Sequence, residues 1–314
     1  MMSDASDPDD SARRAMRRGM WVWNTATIIE DTAQIDRLIL CASAIDVNDI
    51  YLYVVPAWYD GKNSKLAAFN SRLHAHSIQV WAVDGGPAYL DTLAAGDAFI
   101  AGLRSLGEFN DRSEPCARFH GFQADLQPED SAGRTGCFHK RVAESRLTQQ
   151  QHIERTMVLQ KLLNLLTRTS NMVHSLDMPF AVAMPFWLQD YEGEPVTVAY
   201  TGKHGTRMCV MELIMPVVDE YLVLNHKTEF ANVAKFISAP AEYASDMAGS
   251  GQRMPHVLGS FPVTDSAGQK ESHREAIVKI TKDISSLEAM LQLCPTFAGL
   301  ALHDWEALDK LSND

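Results

Sequence analysis

The chain has little cysteine and no pairing pattern within it. Its five cysteines, Cys41, Cys116, Cys137, Cys209 and Cys294, are scattered and include no C-x-x-C pair. That excludes a disulfide framework and fits reduced thiols in a reducing compartment. Cys41, Cys209 and Cys294 lie in apolar stretches and read as packing residues. Long hydrophobic runs are missing too. None approaches the ~20 residues that span a bilayer, and the first residues lack the apolar segment of a secretory signal. A cytoplasmic protein with no membrane partner is the expectation. Positive charge is scarce, with 28 Lys and Arg against 40 Asp and Glu and a net charge of −12. A nucleic-acid partner, which calls for a concentrated basic face, is therefore not expected. The one basic cluster, RRAMRR at 13–18, follows the acidic run SDASDPDD. Residues 1–18 are read together as a solvated, flexible leader.

What is present is a series of short runs rich in β-branched and aromatic residues. They are GMWVWN at 19–24, IYLYVV at 50–55, IQVWAVD at 78–84 and FHGFQAD at 119–125. PFAVAMPFW at 179–187, VVDEYLVLNH at 217–226, HVLGSFPV at 256–263 and FAGLALHDW at 297–305 complete the set. Nearly continuous apolarity over such short lengths marks strands buried on both faces of a parallel sheet. Helical periodicity fills the intervals. Examples are Ile35, Leu38, Ile39 and Ala42; Leu66, Phe69 and Leu73; Ile153, Met157 and Leu163; and Ile277, Ile280, Ile284, Leu287 and Leu291. T-Q-Q-Q at 148–151 and S-H-R-E at 272–275 have the form of capping boxes. The stretches from about 106 to 118 and from 127 to 147 read as loops.

Eight strand–helix repeats predict a single-domain (β/α)₈ TIM barrel over 19–314. A doubly wound open sheet would need a glycine-rich phosphate turn after the first strand, and WVWNTATIIE has no glycine. In a barrel the C-terminal strand ends converge on one rim. That rim would gather Trp21, Trp23, Asn24, Trp58, Asp84, Asp125, Gln127, Glu129, Trp187, His226, Lys227, His303, Asp304 and Trp305. Aromatic faces interleaved with acids suit a hydroxylated or polycyclic small molecule. Asp125, His303, Glu129 and Asp84 are the candidate acids and bases, and the others are candidate substrate contacts. A metal site is not expected, because WVWN stands where metal-dependent barrel hydrolases carry an H-x-H pair. The H-x-H of His74 and His76 falls on a helix end away from the rim. No cofactor is called for, and the oligomeric state is not legible.

WVWN, IYLYV, IQVWAVDGGPAYL, FHGFQADLQPED and FAGLALHDW together resemble a set of glycoside-hydrolase-like TIM barrels distantly related to the chitinase-type clan. The resemblance spans about 19 to 308. It matches Asp125 to the family's fourth-strand aspartate, Pro128 to the following proline, and His303 with Asp304 to the family's His-Asp. Gln127 stands where that family has glutamate, and Phe261 and Pro262 stand near where it has another. A glycosidase needs a group that donates a proton to the leaving oxygen, and a glutamine cannot. The resemblance therefore implies an enzyme with altered acid–base chemistry of the isomerase, cyclase or lyase type. Its alternatives are a glycoside hydrolase whose acid has moved to Glu129 or Asp130, a ligand-binding pseudoenzyme, and a Schiff-base enzyme using Lys227.

Overall fold

The predicted runs become eight parallel strands. They are β1 (Arg17–Val22), β2 (Asp49–Tyr53), β3 (Gln79–Gly85), β4 (Gly121–Asp125), β5 (Phe180–Pro185), β6 (Glu220–Leu224), β7 (His256–Pro262) and β8 (Phe297–His303). They close in the order β1-β8-β7-β6-β5-β4-β3-β2. The structure, a computed structural model, describes residues 16–130, 143–191, 193–199, 206–225, 230–263 and 273–313. The surrounding helices are α1 (Thr32–Ala44), α2 (Asn63–His74), α3 (Leu93–Arg112), α4 (Gln149–Ser175), α5 (Val210–Ile214), α6 (Phe230–Gly249), α7 (His273–Leu291) and α8 (Trp305–Asn313). The fold is the (β/α)₈ barrel that the repeat pattern predicts. None of the described helices is long and apolar enough to cross a membrane.

Alternation along each strand sorts the side chains into two packed layers. Met20, Val22, Ile50, Leu52, Val80, Ala82 and Phe122 face the helices. Trp21, Tyr51, Trp81, Val83, Ala181, Ala183, Leu222 and Ala301 fill the lumen. The large rings come from β1 to β3 and the small residues mainly from β5 and β8, so bulk on one side meets space on the other. Two glycines complete the fit. A Cβ on Gly19 would come within 2.4 Å of the Tyr51 ring, and one on Gly121 within 2.4 Å of the Trp81 ring.

The lumen is closed at its N-terminal end by charge. Arg17 Nε donates to Asp49 Oδ2 at 2.9 Å, and a second arm of the guanidinium bonds Glu220. Trp81 Nε1 donates to the other oxygen of Asp49 at 2.9 Å, with the guanidinium 5.5 Å from the Trp81 ring centre. Burial pushes the Glu220 carboxyl up to about 7, against the pull of Arg17. Arg18, on the opposite face of the same strand, forks onto Glu288 of α7 at 2.9 and 2.8 Å. The expected leader boundary at residue 18 is thus displaced. Arg17 and Arg18 belong to β1 and tie it to its neighbours, while residues 1–15 lie outside the described residues.

Other expectations change as well. Helix α3 runs on to Arg112, so most of the supposed loop from 106 to 118 is helix, with Leu106 and Phe109 buried. Helix α4 starts as predicted, with Thr148 and Gln151 forming a reciprocal capping box. Its buried stripe, however, is Val158, Leu159, Leu162, Leu165 and Leu166, while Ile153 and Met157 face solvent. Ser272, the proposed cap of α7, lies outside the described residues. After β5 the chain makes two short antiparallel pairings absent from the sequence reading, Asp190–Tyr191 with Glu194–Pro195 and Thr197–Ala199 with Arg207–Cys209. Glu144 holds the second of these by accepting from Thr197 and Arg207.

Replacing Arg17 leaves two buried carboxylates without their cation. Arg17→Met is expected to cost about 3–5 kcal/mol of unfolding free energy, the range for breaking a buried pair. Urea denaturation measures it. The loss should be larger above pH 7 than at pH 5, because Glu220 then has to bear its charge unpaired.

Candidate active site

Strand β4 carries the central acid. Its inner face is Gly121, Gln123 and Asp125, since alternate residues share a side. Gln123 is fully buried, and its Oε1 accepts a hydrogen bond from Trp21 Nε1 at 2.7 Å. Strands β1 and β4 are not neighbours, so this bond spans the lumen and forms a floor one layer below Asp125. Gly85 of β3 is the lateral neighbour of Asp125. A Cβ there would fall 1.9 Å from the Asp125 carbonyl oxygen, so only glycine lets β3 approach the site this closely.

Asp125 is 8% exposed. Its Oδ2 accepts from Gln127 Nε2 at 3.1 Å, while Oδ1 is buried with no hydrogen-bond partner among the described residues. Burial raises the carboxyl to about 6, and the Gln127 bond pulls it back only in part. Gln127 is in the left-handed region at φ 43°, a conformation uncommon for a residue with a side chain. The strand has ended before it, and the turn folds its amide back onto Asp125. Gln127 is therefore a partner of the aspartate rather than a second side chain in strand register, and the expectation of a free substrate contact is narrowed accordingly.

Glu129 follows in the single turn Pro128–Asp130. Its carboxyl is pushed up to about 7, first by burial and then by the nearby charges of Asp130 and Asp125. Its Oε2 is likewise buried without a partner among the described residues. Asp130 is exposed. Asp125 and Glu129 are thus two carboxyls raised by burial and four positions apart along the chain.

His303 ends β8, and three strands separate it from β4 in either direction around the barrel. It thus faces Asp125 from across the mouth. Its ring centre is 5.6 Å from that of Trp21 and 6.0 Å from that of Trp23. Trp23 in turn is 6.1 Å from Tyr53 at the end of β2. Trp21 itself is 1% exposed and underlies the site as part of the floor, so Trp23 is the tryptophan of β1 available at the rim.

Several expected members stand elsewhere. Asp84 shares the outer face of β3 with Val80 and Ala82, and the lumen side of that strand end is Gly85. Its carboxylate accepts from Gly85 N at 2.7 Å and Tyr89 Oη at 3.3 Å, and burial raises it to about 6. Asp84 is thus not brought onto the barrel axis. Asp304 caps α8, accepting from Ala307 N at 2.9 Å, and its other oxygen is 3.8 Å from His303 Nδ1, too far for a hydrogen bond. Trp305 is 2% exposed and packs between barrel and helices, which removes it from the substrate contacts. Trp58 and Trp187 are half-buried against the same outer layer. Asn24 is exposed and its Oδ1 accepts from Thr27. His226 and Lys227 lie outside the described residues.

The sequence reading missed Gln123, Tyr53, Tyr89 and Glu306. Glu306, in the first turn of α8, accepts from the backbone N–H groups of Trp23 and Asn24 at 2.8 and 2.5 Å. It thereby fastens the end of β1 to the start of α8, and burial raises its carboxyl. A spacing three residues beyond His303 was its only available signal. Among the described residues no group of three or more metal-ligating side chains assembles.

No protein-family model and no curated protein matches the chain. Solved structures do. The PgaB (BpsB) glycoside hydrolase domain from Bordetella bronchiseptica is 10% identical at a TM-score of 0.52, covering 94% of this chain and 96% of its own. Aphid myrosinase is 9% identical at a TM-score of 0.53, covering 92% of this chain and 88% of its own. A chitinase from Chromobacterium violaceum ATCC 12472 is 10% identical at a TM-score of 0.48, covering 95% of this chain and 99% of its own. At such identities what is shared is the fold, and this chain has the (β/α)₈ barrel of glycoside-hydrolase-like proteins.

Proposed function

We propose that the protein is an acid–base enzyme acting at the barrel mouth on a small hydroxylated ring compound. The observation that carries this is the buried carboxyl of Asp125 on the lumen face at the end of β4, with Glu129 four residues beyond it. Both carboxyls are raised by burial, and each keeps one buried oxygen without a hydrogen-bond partner among the described residues. A carboxyl whose titration range reaches neutrality exchanges protons most effectively there. Glu129, raised to about 7, is the proton donor. Asp125, raised to about 6 and steadied by Gln127, is the carboxylate that receives a proton or supports positive charge. His303 supplies a second polar group from the opposite wall, and Trp23 and Tyr53 supply a face for the ring. Proton transfer of this kind serves isomerisation, cyclisation or elimination.

A second reading, hydrolysis of a glycosidic bond, uses the same pair. It is favoured by the position of Gln127, whose amide is occupied with Asp125 and leaves Glu129 as the acid beside it. Of the two relocated acids considered, Asp130 is the weaker because it is solvent-exposed.

Turnover of activated aryl glycosides and of small hydroxylated metabolites, measured in parallel, decides between the two. Asp125→Asn and Glu129→Gln are each expected to lower kcat by about 10²–10⁴, the usual contribution of a positioned acid or base. Release of the aryl group would select hydrolysis, and conversion without sugar release the first reading. Saturable binding with no conversion in either arm would make the protein a ligand-binding pseudoenzyme.

The pH profile of kcat/KM should be a narrow bell with apparent limbs near 6 and 7, belonging to the pair rather than to either residue. Gln127→Glu exchanges a donor for a like charge beside Asp125 and should move the acid limb to higher pH.

Stability supplies a check independent of substrate. A carboxyl raised on folding holds its proton more tightly in the native state, so stability falls as pH rises from the unfolded value toward the folded one. For Glu129 that window runs from 4.5 to about 7. Glu129→Gln should match the wild type in melting temperature at pH 4 and exceed it by a few degrees at pH 8.

A further inference from the structure

A pocket of about 350 Å³ lies on the flank of the barrel, between α3, α4 and the single turn Pro87–Leu90. That volume is within the range of small-molecule sites. Tyr89, Leu90, Leu93, Met157 and Leu165 give it an apolar wall. Leu93 is 74% exposed and Met157 49%, although α3 and α4 bury their main apolar stripes against the barrel. Ile153, one turn before Met157 on the same face of α4, is exposed with them. Apolar side chains gathered at a concavity, rather than scattered, mark a place where something apolar binds.

Gly96 gives an independent sign. It lies inside α3 and lines the pocket, and glycine within a helix is destabilising relative to alanine. Further along α3, Gly102 and Gly107 are held to glycine by contact, since a Cβ would fall 2.7 Å from Pro56 and 2.6 Å from Leu176. At Gly96 the nearest heavy atom to a Cβ is 3.5 Å away, and the three nearest belong to Leu165, Tyr89 and Arg168, all of them lining residues. The packing of the chain itself therefore does not require glycine there. The room it leaves is room in the pocket.

The polar side comes from α4. Lys161 Nζ donates to the Asp91 carbonyl oxygen at 2.9 Å. That acceptor is neutral, so the bond fixes the ammonium at the pocket without cancelling its charge. Arg168 differs, because it pairs with Asp97 and serves as wall. An apolar wall with an ammonium held at its edge suits a ligand with an apolar body and an anionic head.

We propose that this pocket binds a small amphipathic carboxylate, with an aromatic or short acyl body, at a site separate from the barrel mouth. The body lies over Gly96 against Tyr89, Leu90 and Leu165, and the carboxylate accepts from Lys161. An ammonium has three donors, of which the Asp91 carbonyl uses one. The site borders the mouth without belonging to it. Tyr89 lines the pocket with its ring and donates its hydroxyl to Asp84, and Pro87–Leu90 packs against the turn Pro128–Asp130.

Calorimetric titration of the full chain with octanoate and with 2-naphthoate, each beside its neutral primary amide, tests the proposal. At pH 7 at least one acid is expected to saturate the protein and to bind about tenfold more tightly than its own amide, one decade in Kd. Which acid does so separates a chain-shaped body from a ring-shaped one. Lys161→Met, at a half-buried position, should bring acid and amide to equal affinity. Gly96→Leu should weaken both by about tenfold or more, by filling the pocket. Asp125→Asn should change neither. With the acid bound, amide hydrogen exchange should slow in 87–96 and 157–168. Circular dichroism confirms that each variant is folded, and should Gly96→Leu fail to fold, Lys161→Met and the exchange map decide alone. Binding of neither acid, an acid no tighter than its amide, or a preference unchanged in Lys161→Met would overturn the proposal. So would loss of binding in folded Asp125→Asn, or exchange that slows only outside those two segments.

Discussion

A barrel of eight strands can slide in register, and here a single guanidinium opposes the slide. Arg17 reaches Asp49 on β2 and Glu220 on β6, and through Asp49 it is linked to Trp81 on β3. Because side chains alternate with a period of two, a one-residue slip of β1 would point Arg17 at the helices and expel Trp21 and Trp23 from the lumen. The same slip of β6 would withdraw Glu220 into the outer layer. The cluster costs desolvation, visible in the raised Glu220 carboxyl. What it contributes in return is a fixed phase for the strands that furnish the site.

From that floor the inner face rises in layers. Trp81 and Tyr51 rest above the ion cluster, their rings 6.0 Å apart. The Trp21–Gln123 bond crosses above them, and Asp125 follows two residues beyond Gln123 on the same strand face. Each layer orients the next. The acid at the mouth is set by a column of packed and hydrogen-bonded groups below it and by the Gln127 amide that the following turn folds onto it. This is the arrangement expected where a carboxyl must stay desolvated and still point one way.

The strands were legible because burial on both faces leaves an unbroken apolar signature. The rim was legible because barrel topology converts strand ends into neighbours. Asp125 and His303 follow from that conversion alone. What escaped depends on the phase of individual residues. Asp84 and Gly85 are adjacent, and only the strand's register shows that the glycine faces the lumen. Asp304 and Trp305 read as rim residues, yet the strand ends at His303, after which one caps α8 and the other packs beneath it. Gln127 looks two positions along a strand from Asp125, but the strand stops first. The C-terminal part of α3 was hidden by Gly102 and Gly107, which interrupt its stripe. They are small because Pro56 and Leu176 press against them, within 2.7 and 2.6 Å of any added Cβ.

The Trp21–Gln123 bond has a consequence for traffic as well as for structure. With the lumen filled by rings beneath Asp125 and closed by ions below that, the described barrel offers no passage along its axis. Anything that reaches Asp125 approaches it from the C-terminal rim and leaves on the same side.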